Sequence, residues 1–136
     1  MDTMVSGKVG MSEAEWQARV DLAALYRITD LFGWTDTIDT HMTVRIPGEP
    51  NCFLINNYGD LFNEITASSL VKLGLDGKVY STDGRFNAAG FTIHSGVYKA
   101  RPDANCVMHT HTRAGTGVER CRCRGGGASL DQELLR

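Results

Sequence analysis

The chain has 136 residues, 42% of them hydrophobic and 22% charged, a size and apolar share that suit one packed domain and exclude wholesale disorder. Fourteen Lys and Arg stand against sixteen Asp and Glu, a formal net charge of -2, so neither nucleic acid nor an anionic membrane surface is an expected partner. No stretch approaches the roughly 18 apolar residues of a membrane-spanning helix, and Met1-Asp2-Thr3-Met4 lacks the basic and then apolar character of a secretory leader. A cytoplasmic location is expected.

In chain order, Ser12-Glu13-Ala14-Glu15 has the form of a capping box. Trp16, Val20, Ala23, Ala24, Ile28 and Leu31 then recur near a 3.6-residue period. Together they predict an amphipathic helix over 12–32, stopped by Gly33, with Trp16, Val20, Ala24, Ile28 and Leu31 turned toward a sheet. Met42-Thr43-Val44-Arg45-Ile46 alternates and ends at Pro47-Gly48, and Cys52 to Asn56 is a second short apolar run. The pair reads as a hairpin. Thr66 to Ser69 is at most one helical turn. Asp76-Gly77, between 70–75 and 78–80, is a two-residue hairpin signal. A second helix is predicted over 89–100, ended by Arg101-Pro102-Asp103 because Pro disfavours helix before it, and a strand over 105–111. This order suggests an α/β sandwich with a mostly antiparallel sheet.

Cys52 and Cys106 lie inside apolar runs and read as small core residues. Cys121 and Cys123 form a C-x-C with no second pair at zinc-site spacing, and without a leader disulfides are disfavoured. From Glu119 onward the chain is rich in Arg and Gly and has no hydrophobic period. It reads either as an unordered terminus or as the product of a frame change after about Val118. The expected organisation is a domain over 12–118 and a tail over 119–136.

His109-Thr110-His111 is the sharpest chemical signal. Residues i and i+2 of a strand share a face, so the two imidazoles either converge on one metal ion or form a hydrogen-bonding pair. His94, within the second helix, reads as a satisfied core histidine or as an acid–base group. His41, near Asp39, reads as a turn residue or a site residue, and Glu64 as a capping carboxylate or a catalytic one. No glycine pattern supports a nucleotide cradle.

Longer runs carry a resemblance. His41 to Gly48, Phe53 to Gly59, Glu64 to Val71, Ala89-Gly90-Phe91-Thr92-Ile93-His94, and Ala100-Arg101-Pro102-Asp103-Ala104-Asn105-Cys106-Val107-Met108-His109-Thr110-His111 together resemble the class II aldolase/adducin family over about residues 12–118. The resemblance implies a three-layer α/β/α domain with a mainly antiparallel sheet, incomplete at the C-terminus. In catalytic members it implies a zinc-dependent retro-aldol or epimerase reaction on a small hydroxy-carbonyl compound. It makes His109 and His111 the zinc ligands, with a third His well downstream. It places His41, Tyr58 and Gly59 on the substrate rim and leaves His94 as the nearest acid–base candidate. It also implies a homo-oligomer, commonly a tetramer.

Three departures qualify those implications. Gly90 stands where catalytic members carry a Glu base. Thr40-His41 and Ala88-Ala89 replace the pairs of the phosphate rim, so a sugar phosphate is not the expected substrate. The family likeness ends near Val118, before any further His. Two alternatives therefore stand beside the lyase or epimerase: a non-catalytic, cytoskeleton-type scaffold like the adducin head, and an inactive truncated product.

Overall fold

The computed structural model describes residues 10–81 and 84–122. The elements are α1 (Glu13–Leu31), β1 (His41–Ile46), β2 (Glu49–Ile55), β3 (Val71–Gly74), α2 (Ala88–Ala100), β4 (Cys106–His109) and α3 (Arg113–Arg122). Helix α1 begins as its sequence directs: the Ser12 hydroxyl accepts the Glu15 N–H at 3.1 Å, satisfying one of the orphan donors of the first turn. It ends in a Schellman motif, with Gly33 N–H on Asp30 O at 2.9 Å, Trp34 N–H on Thr29 O at 3.0 Å, and Gly33 at φ 66°. Ser12→Ala should cost about 1 kcal/mol, read as a lower denaturant midpoint with an unchanged slope.

The four strands form one antiparallel sheet in the order β3-β2-β1-β4. The β1–β2 hairpin turns at Pro47-Gly48, with Gly48 at φ 84°. At the Asp76-Gly77 turn, Gly77 holds φ 85° and Gly74 N–H donates to Lys78 O at 2.8 Å. Thr66 to Ser69 is a turn, closed by Ser69 N–H on Thr66 O at 3.1 Å. Alternation along the strands divides the core in two. Leu22 and Tyr26 of α1 pack with Met42, Ile46, Leu54 and Ile65 on one face. Tyr98 of α2 packs with Phe53, Ile55, Leu73 and Val107 on the other. Helix, sheet and helix make the three-layer α/β/α arrangement.

The inward face of α1 is not the one that hydrophobic periodicity selects. Ala18, Leu22, Ala23, Tyr26 and Thr29 are buried together with Glu15 and Arg19, whereas Val20, Ile28 and Leu31 are 39%, 48% and 81% exposed. Trp16 is half-buried and Ala24 exposed. The polar residues of the true inner face are all satisfied. Arg19 donates to Glu15 Oε1 at 2.9 Å and to Leu70 O at 2.7 Å. Lys72 Nζ reaches Glu15 Oε2 and Glu49 Oε1, each at 2.8 Å. The Tyr26 hydroxyl accepts Met42 N–H at 2.9 Å and lies 2.8 Å from Asn56 Oδ1. A residue-by-residue scale counts Glu and Arg against a face and cannot see these long-range partners.

Two smaller expectations also change. Cys52 is half-buried and Cys106 exposed, both as free thiols, because Cys106 opens the edge strand β4. That strand stops at His109, so His111 lies beyond it, in the segment leading into α3, where Thr112 Oγ1 accepts Gly115 N–H at 3.1 Å. Helix α3 carries the chain past Val118; residues 123–136 of the expected tail, including Cys123, lie outside the described residues. Among the described residues no helix is long and apolar enough to cross a membrane.

Candidate functional site

Strand pairing brings the histidines together. His41 opens β1 and is the cross-strand partner of His109, which closes β4. Their rings stack with centroids 4.9 Å apart and planes 19° from parallel. His109 Nε2 lies 3.0 Å from His111 Nε2, and the far nitrogen of His111, Nδ1, lies 2.8 Å from Asp36 Oδ2. Thus the H-x-H pair faces inward on itself although its second member has left the strand.

Behind His41, His94 of α2 is fully buried. Its Nε2 lies 2.8 Å from His41 Nδ1 and its Nδ1 lies 2.6 Å from Thr43 Oγ1. Thr43 Oγ1 in turn lies 2.9 Å from the Tyr98 hydroxyl. Burial, then the neighbouring imidazoles, pulls His94 down to about 3 and His41 down to about 4 from the usual 6.5. Both rings are therefore neutral at pH 7. Gly90, one helical turn before His94, lies directly against His41: a Cβ there would sit 3.1 Å from His41 Cδ2. A side chain at position 90 would require the ring to give by a few tenths of an ångström.

His41 also lines a cavity of about 210 Å³, together with Tyr58, Gly59, Asp60, Asn87 and Phe62. The three residues expected on a substrate rim therefore share one cavity. Tyr58 is held there by its N–H on Arg85 O at 2.8 Å, and Gly59 needs its φ of 93° for the turn. His111 and Asp36 line a separate groove with Trp34, Thr35 and Arg113. Glu64 is exposed and accepts Leu61 N–H at 3.4 Å, as a turn-capping carboxylate does. Asp36, Thr43 and Tyr98 carry no local signal of a site. Asp36 sits in a polar loop with no period, and Thr43 and Tyr98 look like ordinary strand and helix positions until the chain folds.

A three-layer α/β/α domain whose antiparallel sheet ends in paired imidazoles matches one family over most of the chain. The model of the Class II Aldolase and Adducin N-terminal domain matches residues 20–135, and the chain belongs to this class II aldolase/adducin family. A Caulobacter vibrioides protein described as "Putative aldolase class 2 protein" is 60% identical over 115 residues, which is 84% of this chain and 44% of that protein. Alpha-adducin of Mus musculus is 46% identical over 125 residues, 90% of this chain and 17% of that protein. Among solved structures, an aldolase II superfamily protein from Pseudomonas syringae superposes with a TM-score of 0.74 at 50% identity, over 80% of this chain and 45% of that one. The chain thus spans less than half the length of these relatives.

Proposed function

We propose that the protein this chain represents is a zinc-dependent lyase or epimerase acting on a small hydroxy-carbonyl compound, with His109 and His111 as two of the metal ligands. The supporting observation is the 3.0 Å separation of their Nε2 atoms. Two imidazoles bound at about 2.0–2.1 Å to one tetrahedral ion hold their nitrogens about 3.3–3.4 Å apart, so the pair needs to open by only a few tenths of an ångström to supply two of the donors. When bound, zinc would supply Lewis-acid polarisation of a carbonyl. Among the described residues no group of three or more His, Cys, Asp or Glu is disposed to hold an ion, and a third ligand is assigned to sequence beyond this chain. In this reading residues 12–118 are the domain and 119–136 contribute nothing to the site.

The chain's own groups divide the remaining work. Tyr58, Gly59 and His41 bind and orient the substrate in the cavity. His94, the acid–base group in this reading, does not line that cavity and connects to it through His41. A homotetramer in the cytoplasm is part of the same proposal, on family likeness. The second reading, a non-catalytic adducin-like module, is favoured by one observation: the chain has no carboxylate at position 90, and Gly90 there packs so closely against His41 that a Cβ would sit 3.1 Å from the ring.

Zinc binding followed by competition with a chromogenic chelator tests the metal assignment. The 136-residue chain should bind weakly, and His109→Ala or His111→Ala should each abolish binding, with thermal midpoints little changed. Tight stoichiometric zinc unaffected by either substitution would overturn it. Measurable retro-aldol cleavage by this chain would overturn the non-catalytic reading.

A further inference from the structure

We propose that Asp36 is the positioning residue of the histidine pair: by accepting Nδ1–H of His111, its carboxylate fixes the tautomer whose Nε2 lone pair faces His109, the form able to take a divalent cation. This rests on the metal reading above and adds to it a residue that no pattern in the sequence singles out.

A neutral imidazole carries one N–H, on either nitrogen, and an ionised carboxylate only accepts. The 2.8 Å contact between Asp36 Oδ2 and His111 Nδ1 therefore requires the proton on Nδ1. Nε2 is left as an acceptor, 3.0 Å from His109 Nε2. Without a cation, His109 fills that acceptor with its own Nε2–H. To serve as a second ligand through Nε2, His109 would have to carry its proton on Nδ1 instead. Metal-bound histidines recurrently have a carboxylate on the far nitrogen, and loss of that partner typically costs 10–100-fold in affinity.

The surroundings favour orientation over stability as the purpose of this contact. The His111 and Asp36 side chains are 44% and 52% exposed, and a pair so open to water contributes little to folding. Yet the loop is shaped to deliver Asp36. Its start is fixed by the Schellman close of α1 and by the stacking of Phe32 on Trp34, with centroids 5.1 Å apart. Asp39 N–H closes a turn on Asp36 O at 2.9 Å. Inside that turn Thr37 sits at φ 45°, a left-handed conformation that β-branched residues rarely adopt and that carries a strain cost.

The test is ¹⁵N NMR of the histidine side chains in the 136-residue chain, alone and with Zn²⁺ added, for wild type, Asp36→Ala and Asp36→Asn. Wild-type His111 should show the Nδ1–H tautomer, and His109 and His111 should respond together to Zn²⁺. Asp36→Ala should shift His111 toward Nε2–H and weaken Zn²⁺ binding 10–100-fold, while the thermal midpoint stays put. Asp36→Asn keeps an acceptor and should restore the tautomer and most of the affinity. An Asp36→Ala chain with wild-type tautomer and affinity overturns the role of Asp36 and leaves the metal reading standing. A wild type whose His109 and His111 ignore Zn²⁺ overturns both.

Discussion

Conformational stability should fall steadily as the pH is lowered from about 6.5 toward 4.5, above the range in which carboxylates ordinarily take up protons. The cause is the buried pair His41 and His94, pulled down to about 4 and about 3 by burial and by the imidazoles around them. The unfolded chain takes up protons on both near 6.5, while the folded chain refuses them until much lower pH. In that window the unfolded state binds more protons, so stability rises with pH and is lost toward acid. Each such proton contributes a slope of about 1.4 kcal/mol per pH unit, so the pair gives up to about 2.7. Glu15 acts in the same direction but lower. Burial alone would raise it, yet the Lys72 and Arg19 hydrogen bonds prevail and hold it below its ordinary 4.5. Its contribution is present above 4.5 and lost as pH falls through its folded value. Urea unfolding at successive pH values separates the two windows. A flat profile between 6.5 and 4.5 would contradict the buried neutral pair, and His94→Gln should remove about half of that slope.

Arg19→Met should be strongly destabilising, by about 3–5 kcal/mol. Arg19 is 3% exposed and connects Glu15 to the carbonyls of Leu70 and Ala67. Its removal strands a buried carboxylate on Lys72 alone and leaves two carbonyls without their donor. Glu15→Gln combined with Arg19→Met should recover part of the loss, since the uncompensated charge goes with it. The exposed pair Arg101–Asp103, at 2.7 Å, is the contrast: Asp103→Asn should leave stability almost unchanged. Equal effects at the two pairs, measured by denaturant midpoint, would show that burial does not set the difference.

Local grammar was legible in this sequence and long-range polar pairing was not. The N-cap at Ser12, the stop at Gly33, the Pro47-Gly48 and Asp76-Gly77 turns, and the second helix all depend on residues within four positions of one another. They could be read without knowing the fold. The inner face of α1 could not, because Glu15 and Arg19 are acceptable inside only through Lys72 and Leu70, some fifty residues away. At the site, i and i+2 spacing suggested that His109 and His111 share a side. Their meeting, however, depends on the chain leaving the strand after His109 and on Asp36, 75 residues earlier. The stacking of His41 on His109 is a matter of strand register, and register follows from the whole sheet.

Strand β4 is the outermost rung of the described sheet and pairs only with β1 there. Half of its backbone groups thus face away from the ladder. Free energies of local opening are lowest where a segment has few neighbours, so the strand bearing His109 is expected to open before β1 and β2, loosening the half of the core that holds Val107. The imidazole pair is joined to the rest of the described fold through the His41 register and through Asp36. Anything that seals the outer edge, whether a further strand of a longer chain or a second molecule, would stiffen the pair without touching either ring. If His109 and His111 hold an ion as proposed, its affinity should rise with occupancy of this edge, a link carried by backbone hydrogen bonds.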